Sequence, residues 1–295
     1  MRRDAGFVQL DFDTLSGEDS RSFLDEFSLF IRSWYAGNGR KFEWRETCDP
    51  YRILLSELML QQTQTGRVLP KYRQFLSLWP TLEDMAASTL TDVLFAWKGL
   101  GYNRRAKALR DIARMSEPYG YTLPPDEKIL RTFPMIGEAT SAAIMAFAYQ
   151  KRSIYLETNI RRVIIHHFFV SSDAVKDREI RKILEALADR QSDMKMWYYA
   201  LMDYGVMIKK TGINPNRRSH HYHKQSPFEN SNRQIRSALL HTITVEGIQP
   251  KRALLQRFSF EPGRIEGALK QLEDEGFIEQ SVSETEVCYQ IREEL

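Results

Sequence analysis

The sequence has very little cysteine, no long apolar run and no internal repeat. Two cysteines, Cys48 and Cys288, are too few for a disulfide framework or a four-thiolate metal site. No uncharged apolar stretch approaches the length that crosses a bilayer, and the charged segment from Met1 to Asp13 lacks the apolar core of a secretory leader. We therefore expect a soluble, cytoplasmic protein in a reducing compartment, with no membrane partner.

The net charge is also small, at +3, and does not by itself indicate a nucleic-acid partner. Basic residues nevertheless cluster at 104–110, at 161–162 and in the acid-free run 209–224. Such clusters are usually solvated faces, so each one is only weak support for contacts with phosphate groups.

Length and hydrophobic patterning predict a mainly α-helical protein of more than one domain. The 295 residues exceed the usual size of a single domain, and 42% of them are apolar. Apolar residues return every three or four positions from Ser20 to about Tyr204, whereas residues 1–19 are expected to be disordered. The polar stretch from Thr211 to Asn232 is typical of a linker or surface strap, so we expect a domain boundary near residue 227.

The last part of the chain, residues 228–295, predicts a winged-helix domain. Three short helices are expected, followed by two strands with a polar turn, at 232–243, 250–258, 261–275, 277–280 and 286–291. That order is typical of a winged helix. Arg264 and Lys270 on the third helix are available for DNA, but the same unit often serves as a protein-binding or structural module.

An isolated carboxylate lies in the otherwise uncharged stretch Ser56–Gln64. Glu57 has Leu55, Leu58 and Met59 among its neighbours. Partial burial of a carboxyl group disfavours its charged form and raises its pKa, which suits a general acid near neutral pH. The alternative is a helix glutamate that points into the solvent.

The segment Phe133–Thr140 has the character of a turn that begins a helix. Gly137 would let the backbone come close to a partner, and the free N–H groups of the following helix make an anion site. A phosphate group would fit there, although the same residues also suit an ordinary corner between two helices.

These two segments closely resemble the adenine DNA glycosylases, the mismatch-repair branch of the helix-hairpin-helix DNA glycosylase superfamily. The resemblance spans about residues 25–227. It implies a helix-hairpin-helix glycosylase fold of two helical subdomains over residues 20–227, and an enzyme of base-excision repair that acts on double-stranded DNA. The hairpin would grip a backbone phosphate and hold a monovalent cation on its main-chain carbonyls, with DNA contacts from Ile136, Gly137, Ala139 and Thr140.

The family places a second carboxylate some twenty residues beyond Gly137, at the start of a helix, where this chain has Glu157. The family residue is nearly always aspartate, so the charge is kept with one more methylene group. The resemblance implies that this anion stabilises the positive charge on the deoxyribose as a base protonated by Glu57 leaves. Glu157 would equally cap its helix, and Tyr149, which matches a tyrosine that assists this site, would equally pack in the core.

The remaining matched positions concern the flipped base and the DNA around it. The segment from Arg40 to Arg45 resembles one that lines the base pocket, whose members here would be Arg40, Trp44, Arg45 and Gln62. Tyr102 matches the residue that wedges into the base stack, and the positions beside the opposite base are Gln61, Thr63 and Leu100. Ala139 stands where a related branch carries a Schiff-base lysine, which predicts a monofunctional enzyme with little AP-lyase activity.

Two departures from the family pattern affect the cofactor and the C-terminal domain. The family usually has four cysteines that bind a [4Fe–4S] cluster, but this chain has Lys209, Asn216, Ser219 and Gln225 there. We therefore expect no cluster and no other metal site, since His220, His221 and His223 lack cysteine or acidic partners. Arg217 and Arg218 of the basic strap are expected to contact phosphate instead.

The usual C-terminal domain of the family, which inspects 8-oxoguanine opposite the adenine, has no match in this chain. The sequence thus predicts a monomeric, nucleoid-associated enzyme whose leading substrate is adenine mispaired with 8-oxoguanine or guanine. Two alternatives stay open: a glycosylase for uracil, thymine or hypoxanthine in mispairs, and a catalytically silent DNA-binding regulatory protein. Glu57 argues against the silent protein and the departure at Glu157 argues for it.

Overall fold

The computed structural model describes residues 2–4, 7–12, 16–220, 222, 227–283 and 286–293. Within these ranges the chain is mainly helical, as the sequence predicts. The elements in chain order are β1 (Arg2–Asp4), β2 (Phe7–Gln9), α1 (Gly17–Asn38), α2 (Pro50–Leu60), α3 (Thr65–Leu78), α4 (Leu82–Ala86), α5 (Leu90–Trp97), α6 (Arg104–Met115), α7 (Glu127–Leu130), α8 (Glu138–Phe147), α9 (Thr158–Phe168), α10 (Asp177–Ala188), α11 (Met194–Lys210), α12 (Asn232–Glu246), β3 (Gln249–Pro250), α13 (Lys251–Arg257), α14 (Pro262–Asp274), β4 (Ile278–Ser283) and β5 (Glu286–Ile291).

The chain divides into two compact units, each assembled from separate segments. Unit one comprises Met1–Leu54, Pro125–Thr132 and Ile136–Lys224. Unit two comprises Leu55–Pro124, Phe133–Met135 and Gln225–Leu295. No described helix is both long enough and apolar enough to cross a membrane.

An aromatic cluster forms the core of unit one. Helix α1 presents apolar residues at helical spacing, and its Phe27 is completely buried. The ring of Phe27 lies 4.9 Å from that of Phe168 in α9 and 6.4 Å from that of Trp197 in α11, measured between centroids. Burying one such side chain contributes roughly 1.5–3 kcal/mol, so this cluster fixes α1 against the pair α9 and α11.

Helices α9 and α11 approach each other closely at a glycine. A Cβ added at Gly205 would press against the carbonyl oxygen of Asn159 and lie 2.8 Å from its carbonyl carbon. The side chain of Arg162 reinforces the contact, because its Nη1 donates to the Gly205 carbonyl at 2.9 Å. The first turn of α9, which follows Glu157, is therefore seated directly on α11.

Unit two combines helices α3–α6 with the C-terminal elements. Thr81 and Asp84 form a capping box at the start of α4, and helix α6 buries Leu109 and Ile112 completely. In the C-terminal part, α12–α14 surround an antiparallel sheet of order β3-β5-β4, in which Ile278 pairs with Ile291. The three helices and the final two strands follow the order that the sequence predicts, whereas the short strand β3 between α12 and α13 was not predicted. The winged-helix assignment itself stays a prediction.

The described part of the N-terminal segment makes specific contacts with α9. The side chain of Gln9 lies 2.7 Å from His166 Nε2, and the ring of Phe12 lies 5.7 Å from that of Phe168. Leu10 donates its N–H to the His167 carbonyl at 3.1 Å. Residues 9–12 lie inside the segment that the sequence predicts to be disordered, and these contacts order them; residues 1, 5–6 and 13–15 lie outside the described ranges.

Candidate functional site

Glu57 lies on the part of α2 that belongs to unit two. The helix begins after Asp49, whose Oδ1 accepts a hydrogen bond from the Tyr51 N–H at 2.8 Å. Glu57 is partly buried, and its chain neighbours Leu58 and Met59 are completely buried. The carboxyl group therefore lies where an apolar helix reaches the surface of the unit.

Arg105 is the centre of the hydrogen bonding around the end of this helix. Its side chain is 1% exposed, and Nη1 donates to the carbonyls of Leu58 at 2.8 Å and Met59 at 2.9 Å. The same nitrogen donates to the Gln61 carbonyl at 2.5 Å, and Nη2 donates to Gly101 at 2.8 Å and, at 3.2 Å each, to Leu100 and Thr63 Oγ1. The structure thus brings Gln61, Thr63 and Leu100 together around one guanidinium.

That position shows that part of the basic cluster 104–110 lies inside the fold instead of on a solvated face. Arg105 is buried, and so is Arg110, whose Nε donates to the Ser88 carbonyl at 3.0 Å. The cluster 161–162 is likewise engaged internally: Arg161 pairs with Asp177 at 2.6 Å and Arg162 donates to Asn159 at 2.7 Å. These arginines support the fold, because a buried cation must have its donors satisfied.

Gln62 and Tyr102 project from the two segments that Arg105 joins. Both are exposed, and both have a left-handed backbone, with φ of 56° and 49°. Such a conformation is uncommon for residues other than glycine and persists where the surroundings enforce it. Arg105 supplies that enforcement, since it binds the carbonyls of the neighbouring residues Gln61 and Gly101.

Glu157 is the N-cap residue of α9 in unit one. Its Oε1 accepts hydrogen bonds from the N–H groups of Asn159 at 2.7 Å and Ile160 at 2.8 Å, and its Oε2 accepts from the Asn159 amide at 3.1 Å. Burial raises the pKa of this carboxyl group, and the two backbone donors with Arg162 and Arg161 only partly offset the effect. Glu157 therefore does cap its helix, which was the alternative to a catalytic role. The cap fixes the carboxylate in one orientation.

Two of the four residues expected in the base pocket, Arg40 and Arg45, form an ion cluster with Asp203. Arg45 binds this carboxylate through two parallel hydrogen bonds of 2.8 Å, and Arg40 adds Nε at 2.8 Å and its backbone N–H at 2.7 Å. Burial opposes ionisation, but the donors on Arg45 and Arg40 hold the pKa of Asp203 below its usual range. Sequence reasoning missed Asp203; a single acid in the otherwise apolar run 197–208 was the signal.

Trp44 is part of the core in this conformation. Its ring is stacked on Phe42 with centroids 4.7 Å apart, and the residue is 3% exposed. Little of the ring is therefore presented to a ligand, and the place of Trp44 in the base pocket stays a prediction.

At the hairpin, the backbone is left-handed two residues before Gly137. Met135 has φ of 61°, whereas Gly137 has φ of −90° and open space where a Cβ would lie. Gly137 is the exposed N-cap of α8, Ile136 and Thr140 are buried, and Ala139 is partly buried. Neither backbone strain nor packing demands the glycine. Tyr149, in the turn after α8, is partly buried.

The strap after α11 is anchored to α9 by side chains. Asn216 donates to the Thr158 carbonyl at 2.9 Å, and Arg218 donates to the carbonyls of Ile165 at 3.2 Å and Val170 at 3.0 Å. Arg218 therefore caps a helix, contrary to the expectation that it faces phosphate, while Arg217 is exposed. His221, His223 and Gln225 lie outside the described residues, and no group of potential metal ligands occurs within the described ones.

The expected site residues are divided between the two units. Unit two holds the proposed acid and the residues of the two joined segments, namely Glu57, Gln61, Gln62, Thr63, Leu100 and Tyr102. Unit one holds Arg40, Trp44, Arg45, Ile136, Gly137, Ala139, Thr140, Tyr149, Glu157, Arg217 and Arg218.

Comparison with known proteins places the chain in a family. Residues 55–189 match the family model described as HhH-GPD superfamily base excision DNA repair protein. An adenine DNA glycosylase of Mycolicibacterium smegmatis is 31% identical over 271 residues, which are 85% of this chain and 92% of that enzyme. This chain therefore belongs to the HhH-GPD superfamily of base excision DNA repair proteins. An adenine DNA glycosylase of Mycobacterium tuberculosis (strain H37Rv) is 36% identical over 183 residues, and the chain spans only about 60% of that relative's length.

Solved structures of related proteins agree with this assignment. A thermostable thymine-DNA glycosylase has a TM-score of 0.60 and 27% identity, over 66% of this chain and 90% of that one. A 3-methyladenine DNA glycosylase of H. pylori (MagIII) has a TM-score of 0.52 at 14% identity, which shows a shared fold alone, over 64% of this chain and 98% of that one. The helix-hairpin-helix glycosylase fold predicted from the sequence is confirmed.

Proposed function

We propose that this family member is a monofunctional DNA N-glycosylase that removes adenine mispaired with 8-oxoguanine or guanine from double-stranded DNA. The observation that carries the proposal is the partly buried Glu57 at the end of an apolar helix, in a chain 31% identical to an adenine DNA glycosylase over 92% of that enzyme. A proton donor so placed suits acid catalysis near neutral pH.

Glu57 and Glu157 have complementary roles in this mechanism. Adenine leaves poorly as an anion, so Glu57 transfers a proton to N7 of the base. The bond between C1′ and N9 then breaks, its electron pair passes to the base, and positive charge develops on the deoxyribose. Water adds to C1′ and releases a proton to solvent, which leaves an abasic site.

The fixed orientation of Glu157 suits the support of this cation. Two backbone N–H groups hold its Oε1, so little reorganisation is needed as charge develops on the sugar. In this proposal Tyr149 assists Glu157 at the sugar. Because Ala139 offers no amine that attacks C1′, strand cleavage by β-elimination is not expected.

We further propose that the enzyme works without an iron–sulfur cluster. Asn216 and Ser219 stand at two of the four cysteine positions, and both are buried with side chains that are not thiolates. Asn216 is engaged in anchoring the strap to α9. These residues do not fit a cluster, and iron analysis of the purified protein tests the point. A monovalent cation at the hairpin carbonyls remains part of the proposal.

One observation favours a second substrate. The thymine-DNA glycosylase is similar to this chain at 27% identity over 90% of its own length. Excision of thymine from a T·G mispair is therefore the second candidate. It would use the same fold and anion, with a different pocket for the base.

A panel of labelled duplexes tests the proposal. The full chain is incubated with duplexes that contain A opposite 8-oxoguanine, A·G, T·G, U·G or hypoxanthine·T, and abasic sites are then cleaved with hot alkali. Cleavage of the first two duplexes, only after alkali, is the expected result. Cleavage without alkali contradicts the argument from Ala139, preference for T·G favours the second candidate, and binding without any cleavage identifies a silent protein.

A further inference from the structure

Unit two contains a cleft of about 980 Å³, at the upper end of the range of ligand pockets. One wall is the segment from Lys98 to Arg104, with Gln62 beside it, and the other is the face of α12. No aspartate or glutamate occurs among the described residues that line it. Its basic side chains are Arg67, Lys98, Arg104, Arg233, Arg236 and His241.

Aromatic rings are exposed along the same cleft. Phe95 and Phe228 are 59% and 53% exposed, and Tyr102 is 39% exposed. Basic side chains interleaved with exposed rings are typical of surfaces that bind nucleic acid, because rings contact sugars and bases while cations contact phosphates.

The cleft also keeps an excess of positive charge. Arg104 and Arg236 both bind Glu275, the latter at 2.5 Å, and one carboxylate cannot neutralise two arginines. Lys98 Nζ lies 3.1 Å from His241 Nε2, so its hydrogen-bond partner is an imidazole. Arg233 donates to the Tyr102 hydroxyl at 2.9 Å. The charge therefore favours an anionic occupant.

We propose that this cleft binds the sugar–phosphate backbone of the DNA strand opposite the extruded nucleotide. The inference rests on the proposed action on duplex DNA. The opposite strand is proposed because Gln62, Leu100 and Tyr102 form part of the wall of the cleft. Leu100 is expected beside the opposite base, and Tyr102 is expected to enter the space that the extruded base leaves. A strand that passes these residues lies against Lys98 and Arg233.

The proposal makes α12 the DNA-contacting helix of the C-terminal segment. The sequence pointed instead to the third helix, with Arg264 and Lys270. Arg264, however, donates to the Asn230 side chain at 2.8 Å and to its carbonyl at 2.7 Å, so it holds the turn before α12. Lys270 is exposed and is not among the residues that line the cleft, which makes it the matched control.

Salt-dependent binding tests the cleft. Lys98→Gln, Arg233→Gln and the control Lys270→Gln are each placed in the full chain with Glu57→Gln, which prevents excision. The dissociation constant is measured for a duplex with A opposite 8-oxoguanine over a series of salt concentrations. Each cleft variant should reduce the slope of log affinity against log salt by about 0.9, the value for one lost phosphate contact, and the control should not.

Phosphate-ethylation interference then identifies the strand. In the cleft variants, interference should disappear at phosphates of the strand opposite the lesion adenine and persist on the other strand. Unchanged salt slopes in both variants, or loss confined to the strand that carries the adenine, overturns the proposal. Unchanged DNA binding with lost affinity for a polyglutamate peptide also overturns it, because the occupant is then an acidic protein segment.

Excision is measured separately with the chain that retains Glu57. Cleft-dependent binding without release of any base refutes the enzymatic proposal and leaves the cleft assignment standing. Release of adenine with unchanged salt slopes refutes the cleft assignment and leaves the enzymatic proposal standing. Thermal melting of each variant confirms that all the compared proteins are folded.

Discussion

Arg105 Nη1 donates a hydrogen bond of 2.9 Å to the carbonyl oxygen of Met59, on the last turn of the helix that carries Glu57. Its Nη2 donates at 2.8 Å to Gly101, the residue before Tyr102. Burial lowers the pKa of Arg105 to about 10, so the group is still a cation at neutral pH. One buried guanidinium therefore sets the distance between the helix of the proposed acid and the loop of the proposed wedge.

Replacement of Arg105 by lysine should uncouple these two segments. An ammonium group has three donors and no planar fork, so it cannot satisfy carbonyls on both sides. Each carbonyl left unpaired costs about 1–3 kcal/mol. The free energy of unfolding should therefore decrease several times more than it does for a substitution at the surface. Thermal denaturation and single-turnover excision measure the two effects.

Arg104→Lys is the control for this variant. Arg104 is the adjacent residue and forms an ion pair with Glu275, but its side chain is 64% exposed. An exposed pair of this kind contributes about 0.2–1 kcal/mol. Equal effects of the two substitutions on stability and excision would show that Arg105 does not have the coupling role.

Glu57→Gln should stop excision and preserve binding to duplex DNA. The amide cannot transfer a proton to the base, and loss of a general acid typically lowers the rate by about 100-fold or more. The single-turnover rate and the dissociation constant for the same duplex are compared with those of Glu83→Gln, an exposed glutamate of unit two. A rate close to that of the control would remove Glu57 from the mechanism.

The charge at position 157 should matter more than its length. Glu157→Gln removes the anion, and we expect a loss of about 100-fold or more in the excision rate, as for other fixed groups that stabilise developing charge. Glu157→Asp keeps both the anion and a preferred N-cap residue, so it should retain more activity than the glutamine variant. Retention of full activity by Glu157→Gln contradicts an electrostatic role.

The raised pKa of Glu157 predicts a pH dependence with a definite sign. Between the ordinary value of 4.5 and the raised value, the folded state binds more protons than the unfolded state. The stability contributed by this group is therefore present at pH below 4.5 and is lost as the pH rises through the folded pKa. Because the proposed mechanism needs the anion, the acid limb of the excision rate should lie above pH 4.5. A limb at or below that value in rate–pH measurements contradicts the assignment.

Asp203→Asn should destabilise unit one strongly. The carboxylate is buried beneath Arg40 and Arg45, and removal of one partner from a buried ion cluster costs about 3–5 kcal/mol. Since the folded pKa of Asp203 is depressed, its contribution is present above the ordinary value of 3.8 and is lost as the pH falls through the folded pKa. Urea denaturation at a series of pH values measures the loss of stability and its pH dependence. The control is Asp25→Asn, because Asp25 is exposed and forms an ion pair with Arg190.

Gly205→Ala should disturb α9 and with it Glu157. The added methyl group would press on the Asn159 carbonyl, which is backbone and cannot rotate away, so we expect a loss of about 1–3 kcal/mol or more. Gly267→Ala in α14 is the control, because no atom lies within 4 Å of the added carbon and the change should stabilise by about 0.4–1 kcal/mol. Equal melting temperatures of the two variants contradict the close approach.

Local structure could be predicted from the sequence, because its causes lie within a few residues. In the sequence, Asp49 before Pro50 and the run 80–84 are each typical of a helix start, and the structure begins α2 at Pro50 and α4 at Leu82. Apolar spacing in the last 65 or so residues likewise gave the three helices and the final two strands in the right order, with ends a few residues away from those observed, but it missed β3.

The partners of buried charges could not be predicted, because they are distant in the chain. Arg105 binds carbonyls more than 40 residues earlier, and Arg45 binds a carboxylate 158 residues later. Arg105 lies in a basic cluster of the kind that usually forms a solvated face, and Arg45 was expected in the base pocket. In the same way, the identity of Gly137 suggested a turn whose backbone comes close to a partner, whereas the left-handed conformation lies at Met135.

The strap that follows α11 is tied to both ends of α9 through oxygen and nitrogen atoms alone, from Asn216 to Thr158 and from Arg218 to Ile165. These ties contain no sulfur, so peroxide has no thiolate to attack there. The alignment of α9, and of the carboxylate at its first turn, therefore does not depend on the redox state of a sulfur atom at these two positions.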